Sequence, residues 1–151
     1  MFSDRTRNYG QYALLALRIA VGVFFVFHGL SKIGIINTGG FGRAVGFFAE
    51  LQMPAPGITA PLLAVVETLG GLALIFGVLA RVVAILLTLI VAAEIMLVKL
   101  PQSINPISYS FELSLFAALL VLAYFGPGAL ALDEETQSDK PPFVSPPGRS
   151  K

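Results

Sequence analysis

One apolar run holds the residues best suited to chemistry. Between Tyr12 and Ile36 it carries Arg18 and then His28-Gly29-Leu30-Ser31-Lys32, which includes the single histidine of the chain. On a helix turning 100° per residue, His28 lies about 80° and Lys32 about 40° from Arg18, so all three share one face. Each such charge at a bilayer centre costs about 2.5–3.5 kcal/mol on insertion scales, so that face must look at partners, not acyl chains. Later apolar segments supply carboxylates at Glu67, Glu94 and Glu112. A histidine titrating near neutrality beside carboxylates can relay protons or hydrogen-bond a quinone carbonyl. The six residues Arg18, His28, Lys32, Glu67, Glu94 and Glu112 therefore form the candidate polar core and pocket.

Depth along the helices suggests how they pair. An Arg18–Glu67 pair is expected, either as a lock between the first two spans or as part of a site. Glu94 lies about 140° around its helix from Lys99 and needs a partner on another helix, His28 being the candidate. Lys99 and Glu112 read as residues that snorkel to the interface, Lys99 most of all. Gly29, Gly70, Gly71, Ala73 and Gly77 are the small residues on which helices can approach closely.

Other chemistries find little support. Without cysteine there is no thiol redox, thiolate metal site or iron–sulfur cluster, and one histidine excludes bis-histidine haem ligation by this chain alone. No EXXH or HEXXH spacing occurs, so no metal site is expected. Gly40-Phe41-Gly42 resembles the opening of a dinucleotide fingerprint, but Val45 replaces its third glycine and no strand precedes it. No intrinsic cofactor is expected. The phenylalanines of the first span serve packing first, although aromatic walls beside a few polar groups are also what a quinone site requires.

The elements that position these groups follow from hydropathy. The chain has 151 residues, 56% hydrophobic and only 13% charged, with a net charge of +1. Mean hydropathy is +0.81. A soluble domain carries nearly twice that charge, so the bilayer is the expected environment, and no basic patch offers itself to nucleic acid. Spans are expected at 12–36, 58–79, 81–100 and 109–126, long enough to cross. The first exceeds the core of a signal peptide and reads as retained. Between the first two, Phe41, Val45, Phe48 and Leu51 recur at helical spacing in a run too short to span. Pro61 is expected in the first turn of the second span. The tight connection at Ala80-Arg81 makes spans two and three an antiparallel hairpin. The chain is thus read as all-α, an integral membrane four-helix bundle with a short interfacial amphipathic helix between spans 1 and 2. Its organisation is a polar leader over 1–11, the membrane domain over 12–133, and a disordered Pro- and Ser-rich tail over 134–151. Arg5, Arg7, Arg81 and Lys140 outweigh Lys32, Arg43 and Lys99 on the opposite side, which favours cytoplasmic termini in the inner membrane.

These residues also carry a resemblance. The Arg18 helix, His28-Gly29-Leu30-Ser31-Lys32, the 41–56 connector, Glu67-Thr68-Leu69-Gly70-Gly71 with Gly77 and Arg81, Phe111-Glu112-Leu113, and Gly126-Pro127-Gly128 leading to Leu132-Asp133 resemble, in order and spacing, the DoxX family of small bacterial inner-membrane proteins. The resemblance spans 12–133 and implies a four-helix membrane fold with a link to redox metabolism through a thiosulfate:quinone oxidoreductase subunit. Members commonly place a basic residue after the Gly-Pro-Gly turn and a serine before the final Leu-Asp, where this chain has Ala129 and Ala131. No catalytic residue transfers. The leading expectation is a quinone-proximal membrane subunit working with a soluble or membrane oxidoreductase partner. The alternatives are a non-catalytic scaffold for envelope proteins, and a proton or small-solute transporter, which with four spans would need to be a homo-oligomer.

Overall fold

Helix α1 (Asp4–Lys32) takes in most of the first apolar segment and begins two turns before Tyr12. A computed structural model describes residues 4–36, 39–102 and 105–132. Outside the described residues lie the tail expected over 134–151, Asp133 at the end of the membrane domain, the Asn37-Thr38 start of the first turn, and the first three residues of the leader. From Asp4 onward the expected leader is helix instead. It contains no proline, and helix nucleated in the apolar run propagates backward at little cost. At the other end α1 stops before Ile36. Gly34 takes a left-handed φ of 83°, while Gly34 N–H bonds Ser31 O at 3.2 Å and Ile35 N–H bonds Leu30 O at 3.1 Å. That pair of bonds is a Schellman stop.

The amphipathic run forms α2 (Gly40–Glu50), about 16 Å long and unable to cross a bilayer. Next come α3 (Pro56–Phe76) and α4 (Ala80–Glu94). Pro56, not Pro61, takes the opening position of α3, so Pro61 sits inside the helix. Its missing N–H leaves only the Gly57 carbonyl, near the free end, without an intrahelical bond. A second Schellman stop at Gly77 (φ 69°), with Val78 N–H on Ala73 O at 2.9 Å, turns the chain into α4. Beyond Glu94 the same axis continues through a π-helical segment (Ile95–Lys99) and a last turn (Leu100–Gln102). A 3₁₀ turn (Pro106–Tyr109) leads into α5 (Ser110–Phe125).

Among the described residues, four segments are long and apolar enough to cross a membrane, namely Tyr9–Lys32, Pro56–Phe76, Ala80–Gln102 and Ile107–Phe125. The bundle packs chiefly as α1 on α3 and α4 on α5. Backbone proximity explains the first pairing. A Cβ on Gly22 would lie 2.7 Å from Gly71 O, and one on Gly29 would lie 2.5 Å from Ala64 O. Only glycine permits that approach. The core joining the pairs is Val21 and Phe25 of α1, Leu74 of α3, Ala84, Leu87 and Val91 of α4, and Leu119 and Leu122 of α5.

After α5 the chain folds back across the end of the bundle. Ala129 N–H bonds Gln11 O at 3.2 Å and Leu132 N–H bonds Phe76 O at 3.3 Å. This clasp ties α1, α3 and α5 together at the end where the chain begins.

Candidate functional site

Lys32 sits in the last turn of α1, and its Nζ meets Glu67 Oε1 of α3 at 2.7 Å. The meeting follows from Gly29, one turn earlier, whose missing Cβ lets the two backbones touch. Glu67 is only 1% exposed, so an ion pair is the form in which its charge is tolerable at this depth. Its second oxygen, Oε2, is buried and takes no hydrogen bond from the described residues. Nearby hydroxyls are satisfied within their own helices, Thr68 Oγ1 donating to Ala64 O at 2.8 Å.

A cavity of about 690 Å³ opens beside this pair. Its polar lining is His28, Ser31 and Lys32 of α1, Arg43 of α2, Glu67 of α3 and Glu94 of α4. Its apolar lining includes Phe47, Phe48, Leu63, Ile90, Leu97 and Val98. One wall is α2 itself, which lays Gly40, Arg43, Ala44, Phe47 and Phe48 against the mouth. His28 stacks on Phe24, with ring centroids 5.3 Å apart at 19°, and Phe24 leans on Phe111 of α5 at 5.1 Å. The imidazole is thus held by its flat face, and among the described residues its nitrogens make no hydrogen bond. The same is true of the Glu94 carboxylate.

Arg18 and Glu112 do not share the cavity. The expected Arg18–Glu67 pair does not form. Arg18 stands against Gly77, where a Cβ would lie 2.7 Å from its Nη1, ten residues and about 15 Å beyond Glu67 along α3. Its guanidinium enters the C-terminal clasp, with Nη1 donating to Pro127 O at 2.9 Å and Nη2 to Leu130 O at 3.3 Å. Main-chain carbonyls make this contact, so it does not depend on the side chains of Ala129 and Ala131. Glu112 instead pairs with Lys99 at 2.7 Å. Lys99 therefore reaches across to α5 and does not act as a lone snorkelling residue.

The π segment allows that division. Pro101 has no N–H for the Leu97 carbonyl, and Leu100 N–H bonds back to Ile95 O, five residues away. The widened turn leaves Glu94 in the cavity and Lys99 on the α5 side, an arrangement typical of π segments at functional sites. Sequence reasoning missed this segment, and it missed the cavity wall too, having read the run of α2 only as an interfacial helix. The signals available were Pro101 at the end of the apolar run, just past Lys99, and the amphipathic period of α2.

Among the expected packing residues, Gly29 and Gly71 mark close approaches of α1 and α3, and Gly70 faces Leu87 of α4, whose side chain would stand 3.3 Å from a Cβ there. Gly77 ends α3 and makes room for Arg18 and Ala131. Gly22 completes the α1–α3 seam and was not among the expected residues. No three His, Cys, Asp or Glu side chains cluster among the described residues.

Among the described residues, four membrane-crossing helices around a largely apolar cavity with a few polar groups define a small multi-pass membrane protein. Residues 13–100 match the DoxX family profile, and the chain belongs to the DoxX family. It is 32% identical over 123 residues to a Bacillus subtilis protein named "Putative oxidoreductase CatD", covering 82% of this chain and 86% of that one. It is 29% identical over 126 residues to the Escherichia coli inner membrane protein YqjF, covering 80% and 88%. It is 28% identical over 137 residues to an uncharacterized membrane protein of Mycobacterium tuberculosis, covering 82% and 81%. No solved structure matches the chain.

Proposed function

We propose that this protein is a quinone-proximal membrane subunit of a redox system, working with an oxidoreductase partner that carries the electron-transfer cofactor. The observation that carries the reading is the cavity itself. Its volume falls in the range of small-molecule sites, and its walls are aromatic and aliphatic with a few convergent polar groups. The residues fit a quinone ring. Phe47, Phe48 and Leu97 supply apolar surface, the Lys32 ammonium and the His28 N–H can donate to carbonyl oxygens, and the Glu67 and Glu94 carboxylates can accept protons. A quinone supplies two-electron, two-proton chemistry when bound. The chain's own part is to orient the ring, exclude water and hold protons at His28 and Glu94. The relative named as an oxidoreductase agrees with this reading. Cytoplasmic termini in the inner membrane would place the cavity in the outer half of the bilayer, since Lys32 and α2 lie at the end of α1 away from the N-terminus.

The test is binding of a short-chain benzoquinone to the full chain in nanodiscs, followed by calorimetry. His28→Ala should weaken binding about tenfold through the lost hydrogen bond to a ring carbonyl, and Glu67→Gln should weaken it by releasing the Lys32 ammonium from its place at the cavity. Binding unchanged in both variants removes the cavity from this role. Co-purification from the native membrane identifies the oxidoreductase partner.

A further inference from the structure

We propose that the cavity binds the reduced, hydroxyl-bearing form of its ligand, a quinol, more tightly than the quinone. The proposal rests on the quinone reading above and deepens it.

The argument starts from Glu67. Its Oε1 is occupied by Lys32 at 2.7 Å, while Oε2 is buried and accepts nothing from the described residues. An ionised carboxylate only accepts hydrogen bonds. The group that completes this site must therefore be a donor, and leaving such an oxygen unmet in a buried place is costly. Glu94 presents a second carboxylate to the same cavity with no hydrogen bond among the described residues. A quinone offers two carbonyl oxygens and no donor. A quinol offers two O–H groups on the same flat ring.

Charge narrows the choice of donor. Lys32 already neutralises Glu67, so a second full cation at Oε2 would face the ammonium as well as the carboxylate. A neutral hydroxyl gains the charge-assisted bond without that repulsion. The apolar walls of Phe47, Phe48 and Leu97 suit an aromatic ring behind the hydroxyl. Preference for the reduced form raises the midpoint potential of the bound couple, about 30 mV per tenfold for two electrons. The bound quinone is then the stronger oxidant, the direction in which electrons would leave a partner's cofactor.

The experiment uses the full chain in nanodiscs and three probes: a one-isoprene benzoquinone, its quinol kept anaerobic, and the dimethyl ether of that quinol. The quinol should bind at least about tenfold more tightly than the quinone. The dimethyl ether, which cannot donate, should lose that advantage in the unaltered protein. In the paired variant Lys32→Met/Glu67→Leu the quinol and quinone affinities should converge. Quinone binding as tight as quinol binding overturns this inference and leaves the quinone reading standing, as does an ether that binds like the quinol. Binding of none of the three probes overturns both.

Discussion

Lys32 Nζ and Glu67 Oε1 stand 2.7 Å apart, with the lysine side chain 19% exposed and the glutamate 1%. The pair joins the far end of α1 to the middle of α3 at the edge of the cavity. One partner is partly exposed and the other is fully buried, so the two should respond differently to mutation.

Lys32→Met alone should destabilise the protein by about 3–5 kcal/mol, because it strands a buried carboxylate. Replacing both together as Lys32→Met/Glu67→Leu should recover most of that loss, since an apolar pair has no charge to desolvate. Thermal unfolding followed by circular dichroism in one detergent measures both. A double variant as unstable as the single one would contradict the ion-pair account.

The Lys99–Glu112 pair should behave otherwise. Its side chains are 30% and 14% exposed, so Lys99→Met should cost no more than about 1 kcal/mol, and less as salt is raised. Chemical unfolding at low and high salt, compared with the Lys32 variants, separates the two pairs.

Arg18 should matter to stability and not to the cavity. It donates to the carbonyls of Pro127 and Leu130, and Arg18→Met should cost about 2–4 kcal/mol through carbonyls left without that donor. Ligand affinity at the cavity should be unchanged. The check is a melting temperature and a dissociation constant measured on the same preparation.

The α1–α3 seam should resist any added side chain. Gly22→Leu places a Cβ where Gly71 O lies 2.7 Å away, and should cost about 1–3 kcal/mol or more. Gly46 of α2 has no atom within 4 Å of the same position, so Gly46→Ala should stabilise by up to about 1 kcal/mol. The two variants, melted side by side, report whether space or glycine itself is the issue.

His28 combines packing and polarity. His28→Phe keeps a flat ring against Phe24 and should leave stability within about 0.5 kcal/mol. It removes the ring N–H and should weaken quinone binding about as much as alanine does. Binding retained in the phenylalanine variant would assign His28 to packing.

Hydropathy alone determined that the chain crosses the membrane four times, because a run of some twenty apolar residues has one stable destination. The amphipathic period of α2 and the polar character of His28, Lys32, Glu67 and Glu94 were legible for the same reason, since each lies within a single helix. Which charge meets which was decided between helices. The register of α1 on α3 is set by Gly22 against Gly71 and Gly29 against Ala64, contacts between backbones far apart in sequence. That register carried Arg18 past Glu67 into the C-terminal clasp and brought Lys32 to it instead. Likewise the π segment before Pro101 turned Lys99 toward Glu112, a choice that depends on hydrogen bonds no residue type announces. Composition names the groups that must be buried together; only packing, through the few places where backbones can touch, selects their partners.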